Sequence, residues 1–529
     1  PLQMLTYMAD YRVWGLNPRG YHITNIVFHI LAALCLYWFV TILFENRLIS
    51  LITSLLFVIH PIHTEAVSYI SGRADPMSLL FMLLSFIFYI KSLGKNNPII
   101  YLLMLSSYAL ALLSRESALI LPVLLLLYHY AFKRKIEAAK LLSISGIAAI
   151  YLILRFNIIE APLPHSASAI PAFQRIPGFF VAVTNYARLL ILPFGLHMEY
   201  GDWLFNIMDP RAIAGIAIMA ALLIAAFKSR KKGTGYFFEN DKAGKSSLSP
   251  FFALMWFIIT LLPQSNIYPV KAYMAEHWLY VPSIGFFLIL AYLLNSLYEN
   301  IRLRTFAVSI TLCLALFYSV LTVRQNNYWR EPITFYERTL KYAPDSARAH
   351  NDFGIAHESM GNEEEAIAAF NKAIETDPNY ANAYNNIGVI HMDAGRTDDA
   401  ARFFKKSIEL DPGFFSAYSN LGIIQNTMGN YDEAIAAFKK ALEINPNFAN
   451  AHNNLGVVYG NLGRTKEAIP FFKKALEINP QDGPAHSNLA AAYYYEKEYG
   501  LAVRHSEIAI ELGVRMNPEL LGLLAPHRK

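Results

Sequence analysis

The chain has 529 residues, of which 55% are hydrophobic and only 16% charged, with a mean hydropathy of +0.30. Soluble domains run nearer about 25% charged, which argues against an ordinary cytosolic enzyme. Apolar content excludes a disordered chain, and two cysteines exclude a small disulfide scaffold.

Cys35 and Cys313 both lie within apolar runs, where a thiol acts as a small hydrophobe, and no Cys/His metal framework can be built from them. Charge divides the chain. Residues 1–330 carry 26 Lys+Arg against 14 Asp+Glu, and residues 331–529 carry 19 against 26. The first part reads as membrane-like and the second as soluble. The first residue is Pro1 and no signal-like segment follows, so the chain is expected to begin inside a longer protein.

A spanning helix needs about 20 apolar residues. Runs near that length lie at 23–44, 48–70, 76–93, 98–114, 117–132, 136–159, 210–227, 250–267, 280–297 and 305–324, predicting ten spans. An eleventh stretch, 177–196, is interrupted by Arg188 and two prolines and reads as re-entrant or interfacial. With residues 1–22 outside, the loops assigned to the cytoplasm hold 15 basic and 5 acidic groups, and the outer side holds 11 and 9. Basic residues accumulate in short cytoplasmic loops, so the soluble half is expected on the non-cytoplasmic face. The basic run in 228–247 reads as topogenic and facing anionic lipid, not nucleic acid.

The outer-face segments keep the informative polar residues. HPIHTEAVSYISGRAD (60–75) clusters His60, His63, Glu65, Arg73 and Asp75 beside the helix-breaking Pro61. Ionisable groups at membrane depth are costly and mark a functional site by default, against the blander reading of helix-end anchors. Glu65, Asp75 and His63 are the candidate catalytic groups, because a carboxylate can take a proton from a hydroxyl or hold a divalent cation. Arg73, Arg115 and Lys271 are the candidate phosphate-binding cations, with His60, Glu116, Glu276 and Tyr280 in support. Arg115 and Glu116 in LSRESALILP (113–122) equally form an internal ion pair. Lys271 and Glu276 belong to the outer loop 263–286, and LHMEYGDW (196–203) adds Glu199, Asp202 and Trp203, the last as an interfacial anchor. His60 and His63 with Glu65 are the alternative metal set for a divalent cation, but Pro61 breaks the helix and only three ligands are in view, so no metal is assigned.

The second half repeats every 34 residues. Pro344, Pro378, Pro412, Pro446 and Pro480 keep that spacing, as do Gly354, Gly388, Gly422 and Gly456, and Phe370, Phe404, Phe438 and Phe472. This is the tetratricopeptide (TPR) pattern of small residues at a close helix crossing, aromatics between helices and proline at the exit. Five repeats fit 347–514, the last with Ala490 for glycine and Ser506 for the aromatic, followed by a tail at 515–529. The membrane domain is assigned to 1–328, and 329–346 to a junction helix or incomplete zeroth repeat. Asn386, Asn420, Asn454 and Asn488 recur on the first helix of their repeats, predicting a ladder that grips an extended peptide backbone; inter-repeat packing is the alternative.

Taken in order, LTYMADYRVWGLNPRGYHITNIVFH (5–29), HPIHTEAV…GRAD, LSRESALILP, PQSN…AEHWLYVPSIGF and the TPRs resemble the transmembrane and TPR-containing O-mannosyltransferase-like family, within the GT-C glycosyltransferase superfamily. The fold class expected is all-α: a polytopic GT-C-like transmembrane bundle followed by a TPR solenoid. The resemblance implies transfer of a sugar from a polyprenyl-phosphate carrier to a protein hydroxyl or another acceptor on the non-cytoplasmic face. The TPRs would recruit acceptor or partner proteins, in a bacterial inner membrane or an endoplasmic reticulum. It also implies an acidic pair in the first outer loop, upstream of Pro1, with which Asp10 is not equated. Glu276-His277 departs from the family's Glu-Arg. The rival readings are a non-catalytic TPR scaffold and a transporter of lipid-linked sugars.

Overall fold

The computed structural model describes residues 1–158, 171–201, 204–232, 250–265 and 272–528. Every regular element among them is helical, and the chain forms two compact units, Pro1–Ala343 and Pro344–Lys529.

In the first unit, helices start where the sequence supplies caps. Asn17 and Asn97 each accept a backbone N–H of the following turn and each precedes a proline at the first helical position, opening α2 (Pro18–Phe44) and α6 (Pro98–Ser114). Asn46 does the same for α3 (Arg47–Ile59). Between these lie α1 (Leu2–Trp14) before α2, and α4 (Thr64–Ser68) and α5 (Ala74–Ser92) after α3; α7 (Leu121–Ala131) and α8 (Ala138–Ile158) follow α6. Apolar helices Pro210–Lys232, Pro250–Leu261, Ser283–Glu299 and Arg304–Tyr328 complete the ten expected runs.

Five helices are long and apolar enough to cross a bilayer: Pro18–Phe44, Ile70–Ser92, Ala138–Asn157, Pro210–Ser229 and Arg304–Tyr328. A sixth crossing arises if α3 is joined to Pro61–Ser68 across its 52° bend. The remaining four apolar runs give shorter helices because polar turns, such as Arg115 after α6 and Glu276–Leu279 before Ser283, interrupt them.

Burial separates inner from outer helices. The apolar window of Ile70–Ser92 is 72% buried, while those of Ala138–Asn157 and Arg304–Tyr328 are 6% and 11% buried. Phe39, Leu83, Phe86, Phe252, Trp256 and Leu288 make the interior, whereas Ile153, Phe156, Leu312 and Leu316 face outward. Outward apolar surface on that scale needs lipid, not water, around it. The amphipathic helix Ala172–Ile191 buries Val183, Tyr186, Leu189 and Leu190 in a satellite core. Helix Pro332–Tyr342, expected as a junction element, belongs to this unit: Arg338 donates to the Leu196 carbonyl (3.0 Å) and lies 3.9 Å from the Tyr328 ring centre.

The second unit is five helix pairs, from Ala347–Glu358 with Glu363–Thr376 to Gly483–Tyr495 with Tyr499–Glu511, then Pro518–Leu524. The glycine of each of the first four pairs exists because a phenylalanine occupies the space of its side chain: a Cβ on Gly388 would stand 2.6 Å from the Phe404 ring. In the last pair both partners change together, Ala490 and Ser506 being fully buried, so a smaller opposite residue makes room for the methyl. The turn inside each pair takes a left-handed residue: Gly361, Gly395, Gly429 and Gly463, but Lys497 (φ 63°) in the fifth.

Two opposite substitutions test this packing in thermal unfolding. Lys497→Gly is expected to stabilise the last repeat by roughly 0.5–1 kcal/mol, because glycine tolerates positive φ. Gly388→Ala is expected to cost about 1–3 kcal/mol through overpacking against Phe404.

Candidate active site

The chain break after α3 organises the polar end of the first unit. His60 is extended, Pro61 starts a 3₁₀ turn at Pro61–His63, and α4 carries Glu65 away from the α3 axis. A second 3₁₀ turn, Ile70–Arg73, leads into α5. It packs so closely on α4 that a Cβ on Gly72 would lie 2.6 Å from the Ala66 carbonyl oxygen.

Arg73 and Asp75, two residues apart, serve different clusters. Arg73 is fully buried; its Nη2 lies 2.5 Å from Asp10 Oδ2 and donates to the Tyr21 carbonyl (3.1 Å). Its Nε donates to Asn25 Oδ1 (2.7 Å) and its Nη1 to Thr6 Oγ1 (3.0 Å). Four of its five N–H donors are engaged by residues of α1 and α2. The expectation that Arg73 binds phosphate is therefore corrected: it clasps α1 onto the bundle. Asp75, at the start of α5, instead pairs with Arg115 at the end of α6.

The histidines of 60–75 are corrected likewise. His63, expected as catalytic, sets Nδ1 against the Phe57 carbonyl (2.9 Å) and Nε2 against Ser283 Oγ (3.1 Å), packed on Phe57 and Tyr280. His60 caps the 3₁₀ turn through Nδ1 and reaches the Leu190 carbonyl through Nε2 (3.2 Å). Both rings are buried with both nitrogens occupied, so they are core histidines. The alternative His60–His63–Glu65 metal set is not assembled, and no group of three potential ligands forms among the described residues. Of the remaining supporting residues, Glu116 pairs with Arg155 (2.5 Å) and not with Arg115, while the Tyr280 hydroxyl meets His29 Nδ1 (2.6 Å) in the core. Lys271, Asp202 and Trp203 lie outside the described residues.

Glu65 finds a partner 212 residues away. Its Oε1 lies 2.7 Å from His277 Nδ1 and its Oε2 accepts the His277 backbone N–H (2.9 Å). His277 then lines a cleft with Asp75, Arg115, Ser117, Gln264 and Trp278. Burial opposes charging His277, but the Glu65 carboxylate, by charge and hydrogen bond, and Asp75 beyond it outweigh burial and raise its pKa above the usual histidine range. The neighbouring Glu276 is buried with Oε1 accepting from the His197 N–H (2.6 Å) and the Tyr200 hydroxyl (2.7 Å). Burial, and then the charge of Glu65, push its pKa well above the carboxylate range. Burial also lowers His197 to about 4.

The site is therefore two ion couples, Glu65–His277 and Asp75–Arg115, around one cleft. The Arg115 side chain remains 31% exposed, and Asp75 is the only hydrogen-bond partner of its guanidinium among the described residues, so it is the cation with donors to offer an anion. His277 was absent from the site expected above. Nothing local links it to Glu65, and its only sequence signal is a Glu-His pair beside Trp278 in a loop already rich in polar residues.

In the second unit the asparagine ladder is turned to packing. Asn386, Asn420 and Asn488 donate from Nδ2 to Asn351, Asn385 and Asn453 of the preceding repeat at 2.9–3.0 Å. Asn454 accepts from its neighbour Asn453 (3.4 Å). One of the two amide donors that a peptide backbone was expected to use on each of Asn386, Asn420 and Asn488 is engaged between repeats.

Fold and site together define the class: a membrane protein carrying a TPR solenoid. Profiles described as TPR repeat match residues 359–395 and 426–463, and tetratricopeptide-repeat profiles match 381–414, 449–482 and 403–436. The chain is 26% identical to mouse (Mus musculus) Protein O-mannosyl-transferase TMTC3 over 412 residues, covering 70% of this chain and 43% of that protein. A Caenorhabditis elegans protein O-mannosyl-transferase is 29% identical over 69% of this chain and 52% of its own length. The chain thus spans about half the length of these curated relatives. Among solved structures, a crystal structure of MamA is 29% identical, covering 30% of this chain and 94% of that one at a TM-score of 0.28.

Two outcomes follow from the site geometry. Asp10→Asn leaves Arg73 buried without its counter-charge and is expected to cost about 3–5 kcal/mol of stability, read as a lowered melting temperature in detergent. A histidine whose folded pKa is raised stabilises the fold below its unfolded pKa, about 6.5, and that contribution fades as pH rises through the folded value. The melting temperature should therefore fall over that window, and the Glu65→Gln protein should lack this component.

Proposed function

We propose that the chain is a membrane glycosyltransferase of GT-C type that moves a sugar from a polyprenyl-phosphate carrier to a hydroxyl of a protein or another acceptor. The reading is carried by one observation: the cleft brings together a cation with donors to offer, Arg115, paired with the Asp75 carboxylate, and His277, paired with the Glu65 carboxylate. Similarity to proteins named O-mannosyl-transferases supports a sugar as the transferred group.

In this mechanism the guanidinium of Arg115 meets the phosphate of the donor, with Asp75 fixing its orientation. Charge-assisted bonds from arginine to phosphate oxygens strengthen as the carbon–oxygen bond breaks and negative charge gathers on the leaving phosphate. Glu65 acts on the acceptor side. Lys/Arg-rich loops set the topology: the basic loops face the cytoplasm and the cleft, with the solenoid, faces the opposite compartment, the periplasm or the lumen of an endoplasmic reticulum. Helix Ala172–Ile191 lies at the membrane interface, its apolar side toward the bundle. The TPR unit recruits protein acceptors or partners over its half-exposed inner helices, using surface beyond the engaged asparagine amides.

The decisive assay supplies the full chain in lipid vesicles with a polyprenyl-phosphate-linked hexose and a Ser/Thr-containing polypeptide, and counts sugar transferred. Asp75→Asn and Arg115→Gln are each expected to slow transfer about 100-fold or more, assayed below the melting temperature of each variant so that lost pairing is not read as lost chemistry. Undiminished transfer in both variants removes the cleft from the reaction. TPR-dependent partner capture without any transfer would favour the scaffold instead.

A further inference from the structure

Resting on that reading of the cleft, we infer that segment 322–342, which leads out of the first unit, positions the Glu65–His277 couple for the reaction. Both halves of the couple lean on it. On the Glu65 side, Thr322 Oγ1 donates to the Ile59 carbonyl (2.6 Å) at the end of α3. Ser68, the last residue of α4, donates from Oγ to Asn326 Oδ1 (2.9 Å), and the Tyr69 ring stands 6.1 Å from that of Trp329. Glu65 lies between these two fastenings.

The His277 side is reached through the 195–200 loop. The His197 ring stacks on Tyr200 (4.0 Å between ring centres) and on Tyr342 (5.0 Å, with 4° between the planes). Arg338 donates to the Leu196 carbonyl (3.0 Å) and to Gln325 Oε1 (3.3 Å), and Gln325 donates to the same carbonyl (3.3 Å). The loop lies so close to the helix that a Cβ on Gly195 would come 3.3 Å from the Tyr342 ring. It then delivers two donors, the His197 N–H (2.6 Å) and the Tyr200 hydroxyl (2.7 Å), to one oxygen of Glu276. Glu276 opens the 3₁₀ turn whose next residues are His277, held by Glu65, and Trp278, on the cleft wall.

A short 3₁₀ turn has poor internal hydrogen-bond geometry, so contacts from outside fix its place. Tyr186 supplies one just before the turn, its hydroxyl meeting both the N–H (3.2 Å) and the carbonyl (3.0 Å) of Ala275. Segment 322–342 supplies another through Glu276. His197, Tyr200, Arg338 and Tyr342 are therefore positioning residues: none lines the cleft, and they reach it through the turn. The second couple, Asp75–Arg115, stands apart, because no hydrogen bond joins it to the segment among the described residues. A displacement of about 1 Å at a reacting centre costs rate steeply. The strut thus acts on the rate of transfer and leaves donor binding to Arg115.

The test joins amide hydrogen exchange to transfer kinetics, on the full chain in lipid vesicles with a polyprenyl-phosphate hexose as donor. Tyr342→Leu keeps apolar bulk but removes the ring on which His197 stacks. It should raise exchange in 275–280 roughly 2- to 10-fold, the range that losing one aromatic pair allows, with exchange across α5 unchanged. It should also lower kcat about 10-fold or more, with the donor KM unchanged. Tyr342→Phe restores the ring and should restore both readings. Arg338→Lys, which loses the fork onto Leu196 and Gln325, is an independent second cut with the same expected result. In Glu276→Ala the strut is already severed, so adding Tyr342→Leu should change neither reading further. Unchanged exchange in 275–280, exchange raised equally across α5, or undiminished kcat in both Tyr342→Leu and Arg338→Lys overturns the positioning role and leaves the glycosyltransferase reading standing. No transfer by wild type overturns that reading and this one together.

Discussion

A charge taken out of water into an apolar bundle must meet an opposite charge or lose its ionisation. Three couples meet that requirement in the first unit: Asp10–Arg73, Asp75–Arg115 and Glu65–His277. Each joins segments far apart in sequence, so the requirement itself draws α1, α6 and the 276–279 turn to one end of the bundle. The break at His60–Pro61 makes this arrangement reachable. Without it α3 would continue straight, and Glu65 would not come beside the loop that follows Pro250–Leu261.

The same requirement divides structural from chemical charges. Arg73 is fully buried with four of its five donors on internal acceptors, whereas Arg115 has one carboxylate and an open side. Glu276 meets the constraint differently: burial raises its pKa well above the carboxylate range, and it accepts the Tyr200 hydroxyl. Glu276 also ties the 196–200 loop, through the His197 N–H and the Tyr200 hydroxyl, to the residue next to His277.

The second unit follows other physics. Its repeats stack through complementary shape, glycine against phenylalanine, and through amides that bridge neighbouring repeats. The joint change to Ala490 and Ser506 keeps the fit where the array ends. Asparagine at a fixed register was readable as a ligand ladder or as packing because the amide serves either purpose. Only the position of its partner, 35 residues back, decides between them.

Periodic and compositional features were legible without coordinates. The 34-residue repeat, the ten apolar runs and the polar segments between them each reflect local chemistry, a helix repeat or a hydrophobic length, that a linear string records. Glu65, Asp75 and Arg115 were also legible as site candidates, because a charge between apolar runs stands out. The roles were not. Whether Arg73 binds a ligand or a clasp depends on Asp10, 63 residues away, and His63 looks reactive until Phe57 and Ser283 close around it. His277 carries no local mark of its pairing with Glu65 across 212 residues. The amino-acid sequence by itself determined two helical halves and which polar residues interrupt the apolar runs of the first. The tertiary structure decided which of those charges face one another and which face a cleft, because burial and ion pairing depend on contacts between segments that no local pattern encodes.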